Sequence, residues 1–228
     1  MAEFVPLAKP DLTGNELKYL TECIKEGYVT HAGRFEGAFE SAFSERFGTS
    51  CLATSSGTGA LHLSLLGLGV GPGDEVIVPT WTMCASATAI LHWNAIPVFA
   101  DIDPQTYCIS PASIEANITP YTKAIMAVDI FGQSADMHAI MAIAKRHGLK
   151  VISDTAQAPG ALYKGKYAGT LADVGGSSLN YHKHIHTGEG GILVTNDGQI
   201  AQRLQLIRNH AEAVVEGMGV TDLTNMVG

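Results

Sequence analysis

Apolar positions change their spacing near Ser50, and the change divides the chain into two kinds of sequence. Before it the spacing is helical. Thr13-Gly14-Asn15-Glu16 has the interval of a capping box, in which a hydroxyl and a carboxylate satisfy opposite orphan amides; it predicts a helix running to about Lys25. Gly27 to Gly33 (GYVTHAG) is expected to be a loop. Phe35, Phe39, Ala42, Phe43 and Phe47 are expected to form the buried face of a second helix.

After Ser50 short apolar runs alternate with helical stretches. Cys51-Leu52-Ala53 precedes a helix from Thr58 to Leu68, and Val76 to Val78 precedes a helix from Thr82 to Leu91; Val98 to Ala100 and Ala124 to Val128 follow, then a helix from Ala135 to His147 and Lys150 to Ser153. Near-continuous apolar strands joined by helices need cover on both faces, so the expected fold class is α/β, a mostly parallel central sheet flanked by helices. Past Asp154 the pattern turns antiparallel: Leu162 to Tyr167 folded at Lys164-Gly165-Lys166, then Val174 to Leu179 and Gly191 to Thr195, before a helix through Ile207. The expected division is an N-terminal helical segment (1–48), a large α/β domain (49–210), and a polar, Gly-containing stretch (211–228). That stretch reads as the start of a connection to a further domain, in a chain cut mid-course.

Val76 to Ala100 runs without a formal charge for a length that could cross a bilayer. Pro79, Asn94 and Pro97 break it, so it is read as a buried strand-helix-strand unit and not a membrane span. The chain has 228 residues, 46% hydrophobic and 16% charged, which excludes a solvated disordered tail and suits a packed enzyme-like globule. The net charge of −8, with no Lys/Arg cluster, excludes nucleic acid and anionic membrane as expected partners. Cys23, Cys51, Cys84 and Cys108 stand far apart with no CxxC pair, and the start lacks a basic and apolar leader. Reduced thiols in a cytoplasmic protein are expected.

Three stretches could carry chemistry. Thr54-Ser55-Ser56-Gly57-Thr58-Gly59 follows a strand and opens a helix, where free amides and the helix dipole favour an anion; it could equally be a Ser N-cap with a Gly for close packing. Val151-Ile152-Ser153-Asp154 ends an apolar strand in a carboxylate, suited either to a cationic group at the carboxyl edge of the sheet or to capping the next turn. Lys183 is the one basic residue, imidazoles apart, between Lys166 and Arg203, and its Gly-walled, low-charge setting suits a nucleophile toward an aldehyde. The spacing of His182, His184 and His186 would put three imidazoles on one face of a strand. A Gly-rich turn follows and no carboxylate or Cys has ligand spacing, so no metal is expected and the histidines are read as solvent-lining or substrate-facing. Gly160 to Lys166 comes close to a nucleotide P-loop, but Tyr167 stands where Ser or Thr must reach the metal. Phosphate turn, strand-end Asp and Lys, in that order, are the partners needed by a pyridine cofactor with a phosphate tail and an aldehyde, and pyridoxal 5'-phosphate fits all three.

The stretches SSGTGALHLSLLGLGVGPGDEVIVPTWT, AIPVFADIDPQTYCI, ITPYTKAI, FGQSADM, VISDTAQAPGA and HKHIHTGEGGILVTND resemble the sugar-nucleotide aminotransferases of the DegT/DnrJ/StrS family, within the aspartate-aminotransferase fold (fold type I). The resemblance implies that Lys183 is the Schiff-base lysine and Asp154 the partner of the pyridine nitrogen. Gln157 would contact the ring hydroxyl, and Ser178 with the Ser56-Gly57-Thr58 turn would form the phosphate cradle. Met83 stands where the family often stacks an aromatic residue on the ring, and Gln157 and Asp129 stand where many members have His. It further implies transfer of an amino group from an amino-acid donor, expected to be L-glutamate, to a nucleotide-sugar ketone. A homodimer with shared active sites is implied, for which Tyr28, Thr30, His182, His184 and His186 are the expected substrate-side residues. The alternatives are a dehydratase of the same family, which by resemblance would carry His in place of Lys183, and a catalytically incomplete regulatory fragment; a cyclitol acceptor stays open.

Overall fold

The computed structural model describes residues 4–6, 9–30 and 33–211, so His31 of the expected loop and the expected connection past 211 lie outside the described residues. The strands are β1 (Ser50–Thr54), β2 (Glu75–Pro79), β3 (Ile96–Ala100), β4 (Thr122–Val128), β5 (Lys150–Asp154), β6 (Leu162–Tyr163), β7 (Lys166–Tyr167), β8 (Val174–Ser178) and β9 (Gly191–Thr195). The helices are α1 (Glu16–Glu26), α2 (Arg34–Phe47), α3 (Gly57–Gly67), α4 (Cys84–His92), α5 (Pro111–Ala116), α6 (Met137–His147) and α7 (Gly198–Arg208). Seven strands form one sheet in the order β1-β9-β8-β5-β4-β2-β3; β9 runs antiparallel to both neighbours and every other pairing is parallel.

The apolar runs are buried on both faces, and strand alternation decides which residue goes where. Val76, Val78, Ala124, Met126, Ile152 and Leu193 meet Leu61, Leu65, Ile90 and Leu204 from α3, α4 and α7. Ile77, Ile125, Ala127 and Val151 meet Ile114, Ile140 and Ile143 from α5 and α6. The uncharged Val76 to Ala100 stretch is β2-α4-β3, and no helix among the described residues is long and apolar enough to cross a membrane.

Several expectations need correction. Thr13 does not cap α1: its amide and hydroxyl both donate to Oδ1 of Asp11, at 3.1 and 2.8 Å, and the helix starts at Glu16 without a side-chain cap. The aromatic face of α2 is only half-buried and Ala42 is exposed; Phe39, Phe43 and Phe47 lean on Cys51, Leu179, Ile192 and Val194, while Phe35 packs on Tyr19. Antiparallel pairing after Asp154 is confined to the β6-β7 hairpin and the two sides of β9, because β8 runs parallel to β5. That hairpin turns on Lys164 and Gly165 with φ of 49° and 82°, the left-handed pair that matches strand twist in a two-residue loop. The short α5 has no counterpart among the expected elements.

Candidate active site

Strand direction carries three separate segments to one edge. β1, β8 and β5 all end on the same side of the sheet, so the turn at Ser55 to Gly57, the β8-β9 connection holding Lys183, and Asp154 at the end of β5 converge there. This carboxyl edge is where open α/β sheets bind ligands. The segments wall a cavity of about 420 Å³ that brings together Ser56, Gly57, Thr58, Met83, Asp154, Gln157, Ser178, His182 and Lys183.

The first wall is the N-terminus of α3. Oγ of Ser56 accepts from the Gly59 amide at 3.0 Å and its carbonyl from the Ala60 amide at 2.9 Å, so Ser56 is the N-cap. The amides of Gly57 and Thr58 are then left without partners among the described residues and are free for an anion. Only glycine allows the approach that completes the wall: a Cβ on Gly57 would lie 2.6 Å from Cβ of Ser178. Gly191, the first residue of β9, is equally necessary, since a Cβ there would strike the Ser56 carbonyl and the Thr54 hydroxyl. Ser56 therefore caps the helix, and the turn still keeps two amides to spare.

Asp154 forms the floor, with a relative exposure of 5%. Oδ2 accepts from the Ser86 hydroxyl at 2.8 Å and Oδ1 from the Ala156 amide at 3.1 Å. Burial pushes its pKa up, opposed by the Ser86 and Ala156 hydrogen bonds and by the charge of Lys183. A buried carboxylate with acceptor capacity to spare suits a cationic N–H donor placed in the cleft. Asp129, fully buried at the end of β4, accepts from the Ala135 amide at 2.8 Å and the Ser153 hydroxyl at 2.9 Å; desolvation raises its pKa to about 6.

Lys183 is half-buried in a turn closed by its own amide on the Asn180 carbonyl at 2.8 Å, and its amine makes no hydrogen bond among the described residues. Gln157 accepts the Phe131 amide on Oε1 at 3.2 Å, which leaves its NH₂ group as the donor available to a ligand. Met83 stands at the rim, 62% exposed. His182 lines the cavity, and His184 and His186 line the adjoining hollow with Lys9 and Asp11. Their segment is a series of turns and not a strand, so alternation does not align the three imidazoles; among the described residues no group of three or more His, Cys, Asp or Glu is placed to hold a metal. Tyr28 and Thr30 are exposed and do not line the cavity.

Sequence reasoning missed Ser86, Thr82, Asn180 and Glu189, all of which line or support the cavity. Nδ2 of Asn180 donates to Oε1 of Glu189 at 2.5 Å, while its Oδ1 is buried without a partner among the described residues. Asn180 and Glu189 lie inside a motif already singled out. Ser86 gave no local signal, because its partner is 68 residues away.

Residues 10–224 match the DegT/DnrJ/EryC1/StrS aminotransferase family. The chain is 46% identical over 205 residues to a GDP-perosamine synthase of Caulobacter vibrioides, covering 90% of this chain and 55% of that protein. It is 40% identical over 206 residues to the L-glutamine:2-deoxy-scyllo-inosose aminotransferase of Streptoalloteichus tenebrarius, covering 87% and 49%. It thus spans about half the length of these relatives. Among solved structures, an aminotransferase from Psychrobacter cryohalolentis superposes with a TM-score of 0.90 at 35% identity over 96% of this chain and 56% of that one. NtdA from Bacillus subtilis, with bound cofactor PMP, superposes with a TM-score of 0.79 at 39% identity over 84% and 43%. Sheet order, the carboxyl-edge cleft and sequence agree, and the chain belongs to the DegT/DnrJ/EryC1/StrS aminotransferase family.

Proposed function

We propose that the chain is the cofactor-binding part of an aminotransferase that uses pyridoxal 5'-phosphate to move an amino group from an amino acid, L-glutamate in our reading, to the keto group of a nucleotide-linked sugar. The observation that carries this reading is the convergence on one cleft of a lysine amine and two helix-N-terminal amides, all without partners among the described residues, and a buried carboxylate. The residues suit the cofactor: a Cβ at Gly57 would fill the cradle against Ser178, and Asp154 is a buried acceptor that gains from a cationic partner.

When bound, pyridoxal phosphate supplies an aldehyde for amines and a ring that accepts the electron pair of an α-carbon. Gly57 and Thr58 would hold the phosphate through their amides, with the Ser178 hydroxyl beside them. Asp154 would keep a proton on the ring nitrogen, and the Gln157 NH₂ would orient the ring oxygen. Lys183 would present its amine to the aldehyde and, once released, move the proton at the reacting carbon. Met83 would cover one side of the ring from the rim and exclude water there. His182, His184 and His186 are our candidates for the substrate side, with Tyr28 and Thr30 assigned to a partner subunit's cleft in a homodimer. A dehydratase is disfavoured by Lys183. A cyclitol ketone is a second acceptor class, favoured by the 40% identity to the inosose aminotransferase.

The test is formation of the oxo acid from L-glutamate in the presence of pyridoxal phosphate. Oxo acid in step with bound cofactor, lost in Lys183→Ala, is expected. A chain that binds the cofactor and yields no oxo acid from any amino acid would overturn the reading. We further propose 1–48 as an N-terminal helical segment, 49–210 as the cofactor domain and 211–228 as a connection. A chain extended past Gly228 is then expected to turn over faster, because added walls exclude water and hold both substrates.

A further inference from the structure

Asp154 is served by a second side chain that itself depends on a third. Ser86 is fully buried on α4, with its hydroxyl 2.8 Å from Oδ2 of Asp154; on its other side the Thr82 hydroxyl stands 2.8 Å away. A serine hydroxyl has one proton. Directed at an acceptor-only carboxylate, it cannot also be donated to Thr82, so Thr82 must donate to Ser86. Thr82 lies at the cleft wall, in the bend one residue before Met83, the extended N-cap of α4. The helix begins at Cys84 and not at the expected Thr82, yet Thr82 still meets Ser86, four residues on.

We propose that Thr82 and Ser86 form a directed pair of hydroxyls that positions Asp154: Thr82 orients Ser86, and Ser86 holds Oδ2 so that the buried carboxylate stays ionised and aimed at the cleft. Both are positioning residues, acting through Asp154. The need for them follows from the surroundings. Carboxylates in apolar settings take up a proton unless hydrogen bonds favour the charged form. Of the charged groups near Asp154, Lys183 favours its ionisation, while the charge of Asp154 in turn raises the pKa of Asp129; His182 and Glu189 line the same cleft. One hydroxyl and one backbone amide are the only hydrogen-bond donors to the Asp154 carboxylate among the described residues. If the Ser86 hydroxyl turned away, Oδ2 would be left desolvated and unpaired, and the acid would be neutral where a cationic ring nitrogen needs an anion. The hydroxyl pair is a property of this chain. Its use for pyridine binding rests on the proposed function.

The experiment follows the carboxyl carbon of Asp154 by NMR in the 228-residue chain labelled at aspartate, with the resonance assigned by its loss in Asp154→Asn. In Ser86→Ala the titration is expected to move up by about one pH unit, the scale of one hydrogen bond to a charged group. Thr82→Val is expected to move it the same way by less, and Thr82→Ser, which keeps the hydroxyl, to leave it in place. Binding of pyridoxamine phosphate, measured alongside, should weaken about tenfold in Ser86→Ala and remain unchanged in Thr82→Ser. If Ser86→Ala fails to fold by circular dichroism, the two Thr82 variants decide. An unmoved titration in folded Ser86→Ala, or identical titrations in Thr82→Val and Thr82→Ser, overturns the proposal. Failure of the unsubstituted chain to bind pyridoxamine phosphate counts against the cofactor reading alone, because the carboxyl titration still decides the role of the hydroxyls.

Discussion

The carboxyl edge of β4 and β5 and the face of α1 treat burial in opposite ways. At the sheet edge, polar groups are buried and paired: Ser86, Ser153, Asp129 and Asp154 are all inside, and both carboxylates accept hydrogen bonds. On α1, apolar side chains stand outside: Leu17, Leu20 and Ile24 are 79%, 62% and 71% exposed, and no residue of the helix is buried. What attaches α1 to the rest is polar or aromatic, with Arg34 paired to Glu22 and Glu26 and Tyr19 against Phe35. Exposed ion pairs of this kind contribute little. The contrast teaches that the 50–208 region contains the apolar core and the cleft with its buried carboxylates, whereas the apolar face of α1 needs a surface that the described residues do not supply. A second copy of the chain is the surface we propose.

The sharpest way to break the comparison is at the floor of the cleft. Asp154→Asn keeps shape and removes charge, and is expected to slow oxo-acid formation at least about a hundredfold while the folded chain persists. A variant near the unsubstituted rate would place the ring elsewhere. In the core, Leu65 is fully buried, and Leu65→Ala should cost about 2–5 kcal/mol in urea unfolding, from lost burial and the cavity left behind.

Asp129→Asn probes the buried carboxylates themselves. The folded pKa of Asp129, about 6, lies above the ordinary carboxylate value, so the native state binds more protons between pH 4 and 6. Its contribution to stability is therefore fully present below about pH 4 and lost as pH rises through 6, on the order of 3 kcal/mol. The midpoint of thermal unfolding should fall less across that window in Asp129→Asn than in the unsubstituted chain; parallel slopes would show that Asp129 does not titrate there. The smallest effect belongs to α1. Leu20→Ala should change the stability of the monomer by no more than about 0.5 kcal/mol, while sedimentation should show weakened self-association. A loss as large as that of Leu65→Ala without any change in association would mean that α1 is packed within its own chain.

The two regions also differ in how much of them could be read in advance. Strands such as Val76 to Val78 and Ala124 to Val128 were legible because burial on both faces leaves an unbroken apolar run, and that Gly57, Asp154 and Lys183 share one cleft because each stands just past or at the carboxyl end of a strand of the sheet. Ser86 was not legible, since a serine in a small-residue helix says nothing of a carboxylate 68 positions on. The Thr13 capping box failed for a local reason: Asp11 takes the Thr13 amide that Glu16 would have accepted and draws the Thr13 hydroxyl to itself. The aromatic stripe of α2 showed a helix correctly but not its depth of burial, because periodicity reports which side faces inward and not how much protein covers it.

The central claim is that the amine of Lys183 is the group in this cleft that takes the cofactor's aldehyde. Borohydride reduction of the chain loaded with pyridoxal phosphate, followed by peptide mapping, tests it most directly. The account predicts a label confined to Lys183 and absent from Lys183→Ala; a label on Lys9, Lys164 or Lys166 that persists in that variant would contradict it.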